Sequence, residues 1–114
     1  NSLIAVIALS TLALIYVLAP SQSKVQVQNK GEVTIAEAQM IIEKHCVSCH
    51  AEEPSNKAFA IAPKGIMLDT IEKIMTHKDQ IYKQAVLSKA MPIVNTTNMT
   101  DQEREKLGVW IEAN

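Results

Sequence analysis

The stretch HCVSCH, residues 45–50, contains both cysteines of the 114-residue chain and two of its three histidines. The spacing C-x-x-C-H is the pattern of covalent c-type haem attachment, in which two thiols add to the haem vinyl groups and the next histidine binds the iron. Cys46 and Cys49 are three residues apart, so a helical turn places them on one side. We therefore expect one covalently bound haem c, held by Cys46 and Cys49, with His50 as an axial ligand of its iron.

Three other interpretations of the cysteine pair are open. A structural zinc site needs four ligands, and His45, His50 and His77 would complete it only outside recognised spacings. A thioredoxin-like redox pair belongs in a βαβ unit, which the sequence lacks. A disulfide between Cys46 and Cys49 is the third interpretation, in an oxidising compartment.

Met91 is the predicted second axial ligand of the iron. It stands directly before Pro92. A residue before proline is pushed out of the α region, so we expect the preceding helix to stop near 89–90 and Met91 to lie on a loop. From there its thioether can reach a cleft. The alternatives are Met99, on the same loop, and His77.

The predicted pocket is completed by a hydrogen-bond acceptor and an apolar wall. A ligating histidine usually donates its other ring N–H to a carbonyl or carboxylate, and we predict that the Pro63 carbonyl accepts this bond from His50. Each residue of the predicted wall is also suited to an ordinary core. These residues are Phe59, Ile61, Ile66, Leu68, Ile74, Val86, Leu87 and Ile93.

Two capping boxes mark the starts of helices. In each, a threonine accepts a hydrogen bond from the backbone N–H three residues later, where a glutamate reaches back to the threonine N–H. The pairs are Thr34 with Glu37 and Thr100 with Glu103. Apolar residues recur at helical spacing after both, which predicts one helix over about 35–46 and another to the end of the chain.

The remaining segments complete an all-α prediction. The sequence between the two capped helices favours two short helices, near 70–76 and 79–89, after an irregular loop over 51–65. Gly108 lies inside the last helix, where glycine costs about 1 kcal/mol relative to alanine. We expect close approach of the backbone of the 35–46 helix to be the reason. No segment has a convincing strand pattern, so the predicted fold has about four helices around one haem.

The N-terminal segment predicts a membrane anchor. Residues 3–19 carry no charge and include ten Leu, Ile or Val residues, at the short end of the window for a membrane-spanning helix. We predict a transmembrane helix over 1–19, with lipid contacts through 3–19. A signal peptide fits less well, because no Lys or Arg precedes the apolar run. The absence of an initiator Met favours a processed or truncated chain whose anchor is the last span of a larger membrane protein.

Beyond the anchor, residues 20–33 are polar and predict a flexible linker, and residues 34–114 form the predicted domain. A domain of about 80 residues is marginal for a hydrophobic core alone, so a bound cofactor is expected. The chain has 11 basic and 12 acidic residues. This balance excludes the charge signature of a nucleic-acid-binding protein. Four lysines are candidates for a docking rim around the haem edge: Lys57, Lys64, Lys83 and Lys89.

These motifs together resemble a class I cytochrome c domain. That family has a first helix ending in C-x-x-C-H, a proline loop, a Met-Pro loop and a last helix with L-x-x-[WY]-[IL], here Leu107, Trp110 and Ile111. The resemblance covers 34–114 and implies that the first and last helices of the domain cross.

The stretches HCVSCHAEEP, PKGIMLDTIEKI, QIYKQAV and AMPIVNTTNMTDQEREKLGVWI further resemble the C-terminal cytochrome c domain of the membrane-bound bacterial urate oxidases. That resemblance implies that the domain follows a multi-helix membrane domain and accepts electrons from urate oxidation. No urate site is assigned to this chain.

The function expected from the sequence is one-electron transfer by a His/Met-ligated haem, without an enzymatic activity of its own. The expected partners are a redox protein or membrane-domain donor and a respiratory-chain acceptor. The expected location is the bacterial inner membrane, with the haem domain facing the periplasm. A haem peroxidase or ligand sensor with a dissociable Met91 is the alternative, and a structural zinc or disulfide module is a third.

Overall fold

A computed structural model of the chain describes residues 2–18 and 31–114. Every regular element in these two ranges is helical. The α-helices are α1 (Ser2–Leu18), α2 (Ile35–His45), α3 (Ile71–Ile81) and α4 (Asp101–Ala113). The all-α prediction is confirmed for the described residues. The sequence predicts about four helices after the anchor, and the described residues there form three α-helices, α2, α3 and α4.

Helix α1 covers most of the predicted transmembrane segment. Within it, the hydroxyls of Ser10 and Thr11 donate to the carbonyl of Ile7 at 2.9 and 3.0 Å. Among the helices of 2–18 and 31–114, none is both long enough and apolar enough to cross a membrane. A helix is therefore present where the sequence predicts one, but it does not meet the length and hydropathy required of a membrane-spanning helix. Most of the predicted linker over 20–33 lies outside the described residues.

The two predicted capping boxes are confirmed. The Glu37 N–H donates to Thr34 Oγ1 (3.2 Å) and the Thr34 N–H donates to Glu37 Oε2 (2.9 Å). The same arrangement begins α4. There the Glu103 N–H donates to Thr100 Oγ1 (3.1 Å) and the Thr100 N–H donates to Glu103 Oε2 (2.9 Å). These side chains satisfy N–H groups that the first turn of a helix leaves without partners. Helices α2 and α4 therefore begin where the sequence predicts.

The predicted break between helices near 70–76 and 79–89 is wrong. Helix α3 continues without interruption into a π-helical segment, Tyr82–Leu87. There the turn widens, and the Ser88 N–H donates to the carbonyl of Lys83, five residues earlier, at 3.0 Å. No Gly or Pro stops the helix earlier. It ends two residues before the expected position, because Lys89 adopts a left-handed conformation (φ 56°).

The core lies between α2, α4 and the continuous α3–π segment. Leu107, Trp110 and Ile111, the predicted apolar stripe of the last helix, are all buried. Ile42 and Ile74 face them from α2 and α3 as part of the same hydrophobic cluster. Helix α4 contacts both α2 and the π-helical segment.

Gly108 is required by a different neighbour from the one expected. A Cβ atom at this position would lie 3.0 Å from Val86 Cγ1 and 3.6 Å from Tyr82 Cε2. The glycine therefore makes room for side chains of the π-helical segment. The prediction that it admits the backbone of α2 is wrong, because α4 is buried on two sides and sequence periodicity does not distinguish them.

The Glu103 carboxylate is the most heavily bonded acid of the fold. Besides the Thr100 N–H, it accepts from Lys44 Nζ (2.9 Å) and from His45 Nε2 (2.9 Å). The Thr100 backbone bond and the Lys44 bond are the main reasons why its pKa falls from 4.5 to about 2. The ionised carboxylate thus links the start of α4 to the end of α2.

We predict that folding stability falls as the pH drops from about 4.5 towards about 2. A group whose pKa is lowered by folding contributes stability above its unfolded pKa and loses it as the pH falls through the folded value. Urea midpoints measured between pH 6 and pH 2.5 test this. Glu103→Gln keeps an acceptor for the capping box without the charge, so its midpoint should depend less on pH. Glu105→Gln, an exposed change on the same helix, is the control, and identical profiles for Glu103→Gln and wild type would contradict the prediction.

Candidate functional site

The C-x-x-C-H stretch forms a tight turn at the end of α2. The Cys46 N–H donates to the Ile42 carbonyl at 2.8 Å, which closes the helix. The N–H groups of Cys49 and His50 then both donate to the Cys46 carbonyl, at 3.2 and 2.9 Å. This turn holds the two thiols and the imidazole in adjacent, half-buried positions.

A cleft of about 320 Å³ opens beside this turn. Its walls include Cys46, Cys49, His50 and Met91. An adjoining hollow of about 230 Å³ is lined by Cys46, His50 and Met91 as well, and Pro63 borders both. Mostly apolar walls with a few convergent polar groups are typical of a small-molecule or cofactor site.

Of the three candidates for the second axial ligand, Met91 alone lines the cleft. It lies on the loop before α4, and its N–H donates to the Gln84 carbonyl at 2.9 Å. Met99 is 4 % exposed and belongs to the hydrophobic core. The ring of His77 is hydrogen-bonded to Gln80 Oε1 at 3.2 Å on its own helix. The tertiary structure therefore brings Met91, and neither rival, to the C-x-x-C-H turn.

The predicted hydrogen bond from His50 to the Pro63 carbonyl is not observed. His50 Nδ1 lies 2.8 Å from the carbonyl oxygen of Ile66. The Pro63 carbonyl instead accepts the Ile66 N–H at 3.1 Å, inside the short 3-10 turn Pro63–Gly65. That turn uses the Pro63 carbonyl internally and presents the carbonyl of Ile66 to the imidazole.

This hydrogen bond also settles the tautomer of His50. A carbonyl oxygen only accepts, so Nδ1 carries the proton and Nε2 keeps its lone pair in the neutral ring. The Leu68 N–H donates to the His50 carbonyl at 2.7 Å, which holds the main chain of this residue. The ring is thus oriented at one nitrogen and able to coordinate a metal through the other.

Three of the eight predicted wall residues, Phe59, Ile66 and Ile93, line the cleft or its adjoining hollow. The rest of the wall includes polar residues that were not predicted for it, contributed by the end of α2 and the loop after it, by the end of α3 and the π-helical segment, and by the loop before α4. These polar residues are His45, Ser48, Asn56, Gln80, Gln84, Thr96 and Thr97.

The other five predicted wall residues lie elsewhere. Leu68 and Ile74 are buried in the core. Val86 is half-buried and packs against that core. Ile61 and Leu87 are 75 % and 62 % exposed. All five are apolar, but an apolar residue type does not indicate which side of a helix or loop faces a cleft.

Arg104 is a residue of the site that sequence reasoning missed. It is 5 % exposed on α4. Its Nη1 donates to the carbonyls of Ala85 and of Met91, the latter at 2.8 Å. A signal was present, because Arg104 stands three residues before Leu107, on the apolar face of the helix. A charged residue on such a face needs buried partners.

By sequence His45 is only a candidate zinc ligand, and the structure places it differently. It is 4 % exposed and borders the cleft. Its Nδ1 is hydrogen-bonded to Thr97 Oγ1 at 2.8 Å, and its Nε2 to the Glu103 carboxylate at 2.9 Å. The imidazole therefore joins the end of α2 to the loop before α4 and to α4 itself.

The two thiols are free and are not joined in a disulfide. Burial, followed by the neighbouring Cys49, raises the pKa of Cys46 to about 12, while the charge of Arg104 opposes the rise. Asn56 Nδ2 lies 3.4 Å from Cys49 Sγ.

Across 2–18 and 31–114, no three His, Cys, Asp or Glu side chains are grouped so that they could hold a metal ion. The structure thus offers no support for the zinc interpretation.

Comparisons of the chain with protein-family models, with curated proteins and with solved structures find no match. The chemistry of the site is therefore inferred from its own residues. These are two thiols, an oriented imidazole and a thioether around one mostly apolar cleft.

We predict that Thr97→Val lowers the free energy of unfolding by about 1–3 kcal/mol, because it leaves the buried Nδ1 of His45 without a partner. Urea denaturation of the full chain measures the change. Thr97→Ser keeps the hydroxyl and is the matched control, with an expected loss below about 1 kcal/mol. A loss in Thr97→Ser that equals or exceeds the loss in Thr97→Val would contradict the prediction, because serine keeps the hydrogen bond and valine keeps the methyl group.

Proposed function

We propose that this chain is a monohaem c-type cytochrome that transfers single electrons. In this proposal haem c is attached through Cys46 and Cys49, and its iron is held by His50 and Met91. The observation that carries the proposal is the presence of all four side chains around one cleft. Met91 is far from the C-x-x-C-H turn in sequence and reaches it only through the fold.

The donor set fits the cofactor. The hydrogen bond to Ile66 leaves His50 Nε2 available for a metal, and Met91 adds a neutral sulfur ligand. Both cysteines carry free thiols, which thioether bonds require. When bound, haem c supplies an iron that gains and loses one electron.

The protein's own residues set the conditions for that electron transfer. Imidazole and thioether together favour a higher reduction potential than two imidazoles. Phe59, Ile66 and Ile93 make part of the wall apolar, and a low dielectric penalises the more highly charged ferric form. A site filled by Met91 also leaves no open position for oxygen or peroxide, which favours electron transfer over a peroxidase or a ligand sensor.

The location and partners form a further part of the proposal. Haem c is attached on the electropositive side of energy-transducing membranes, so we place the domain at the periplasmic face of a bacterial inner membrane. The apolar α1 supports attachment to that membrane or to a membrane domain. Lys64 borders the adjoining hollow and is exposed, which suits a docking rim. Electrons from a urate-oxidising membrane domain, passed to a respiratory-chain acceptor, are the particular route we propose.

Covalent attachment predicts the behaviour of a Cys46→Ala, Cys49→Ala double variant. Haem should become extractable by acidified acetone, whereas in the wild-type chain it should stay with the protein. The absorption spectrum of the pellet and supernatant measures this. Cys46→Ala alone and Cys49→Ala alone should each retain one thioether bond. A wild-type chain that shows no Soret band when produced with a haem-attachment system would overturn the proposed function.

Iron coordination by Met91 predicts different spectra for two matched substitutions. Met91→Leu should abolish the weak far-red band of ferric iron–thioether ligation and allow carbon monoxide to bind, because leucine keeps the volume and removes the sulfur. Met99→Leu changes a buried core residue of similar volume, so it should leave the spectrum intact and cost less than about 1.5 kcal/mol. The reverse pattern would assign the ligand to Met99, and loss of the band in neither variant would direct attention to His77.

A further inference from the structure

The loop that carries Met91 is unusually strained. Four of its non-glycine residues, Lys89, Val94, Asn95 and Asn98, have φ between 48° and 57°. This left-handed region is unfavourable for side chains with a Cβ atom, above all for a β-branched residue such as Val94. A loop of this kind keeps its conformation only when its surroundings determine it.

Arg104 makes several of the contacts that hold the loop in this conformation. Its Nη1 donates to the carbonyls of Ala85, in the π-helical segment, and Met91, in the loop. Its Nη2 lies 3.4 Å from Asn95 Oδ1. The same Asn95 oxygen accepts the Met99 N–H at 2.9 Å, and Asn95 Nδ2 donates to the Met99 carbonyl at 3.1 Å. One buried guanidinium thus connects the helix end, the loop and its strained turn.

We propose that Arg104 is the positioning residue of Met91. Nη1 of its planar guanidinium holds the carbonyls on both sides of the chain reversal while Nη2 faces Asn95 Oδ1, and so it sets where the thioether stands in the cleft. Lysine would keep the charge but has a single nitrogen, so it lacks the second donor that the fork holds in a fixed plane towards Asn95. The inference rests on the proposed function, because a position for this thioether matters only if it binds iron.

The charge of Arg104 has a second effect. Its buried guanidinium is bonded to the carbonyl of Met91, a residue that lines the cleft, so the charge lies beside the cleft. It also opposes the rise in the pKa of the Cys46 thiol that burial and Cys49 cause. A buried cation beside the cleft disfavours added positive charge there and favours the reduced form of a bound redox group. Position and charge can be separated by substitution.

Two variants of the full haem-loaded chain separate these effects. Arg104→Lys keeps the charge and loses the fork, and Arg104→Met loses both. The far-red band should weaken in both, and the Met91 amide, bonded to the Gln84 carbonyl, should exchange its hydrogen at least about tenfold faster. In Arg104→Met the reduction equilibrium should also shift about tenfold towards the oxidised form, which is 59 mV for a one-electron couple. Lys106→Met, an exposed charge removal on the same helix, should change none of the three.

The outcomes distinguish this inference from the proposed function. A wild-type chain that binds haem, together with an unchanged band and unchanged exchange in Arg104→Lys and Arg104→Met, overturns the role of Arg104 alone. Faster exchange that extends equally to the Cys46 amide at the end of α2 shows general unfolding and also overturns it. If Arg104→Met does not fold, the band and exchange of Arg104→Lys decide. A wild-type chain without a Soret band overturns the proposed function and this inference together.

Discussion

The arrangement of the site depends on the two hydrogen bonds of the His45 imidazole. Both of its nitrogens are bonded, to Thr97 and Glu103, and its ring is buried. A buried polar ring must satisfy both nitrogens, so the end of α2 has to meet the loop and α4 in one geometry. The cysteine turn begins at the next residue. The positions of Cys46 and of the loop that carries Met91 are thus set by the same side chain.

In this small domain, two buried polar groups, His45 and Arg104, fix the relative positions of the helices and the loop. In a larger domain, a larger apolar core fixes such positions. Fully satisfied polar networks favour one arrangement, because partly bonded alternatives are costly at low dielectric. His45 joins α2 to α4, and Arg104 joins α4 to the chain reversal before Met91. The cleft therefore lies between segments that are fixed by directional bonds, while apolar contacts among residues such as Ile42 and Leu107 supply the bulk of burial. This division suits a site that must hold ligands in fixed positions.

Local rules predicted part of the structure well. Each capping box needs only two side chains three residues apart, so Thr34 and Thr100 indicated helix starts that the structure reproduces. The rule that a residue before proline leaves the α region placed Met91 on a loop. Predictions that needed a partner from another element were less accurate. The acceptor for His50 proved to be Ile66 and not Pro63, and the neighbour of Gly108 proved to be Val86.

The sequence by itself determined the helical character of the described chain and the starts of α2 and α4. These follow from backbone hydrogen bonding within a few residues, which local side chains control. Only the tertiary structure decided that Met91, and not Met99, borders the cleft, and that Arg104 is bonded to its carbonyl. Such choices depend on which faces of the packed helices meet. The sequence does not show this, because the apolar pattern that drives burial is the same for a core residue and for a residue in the wall of a cleft.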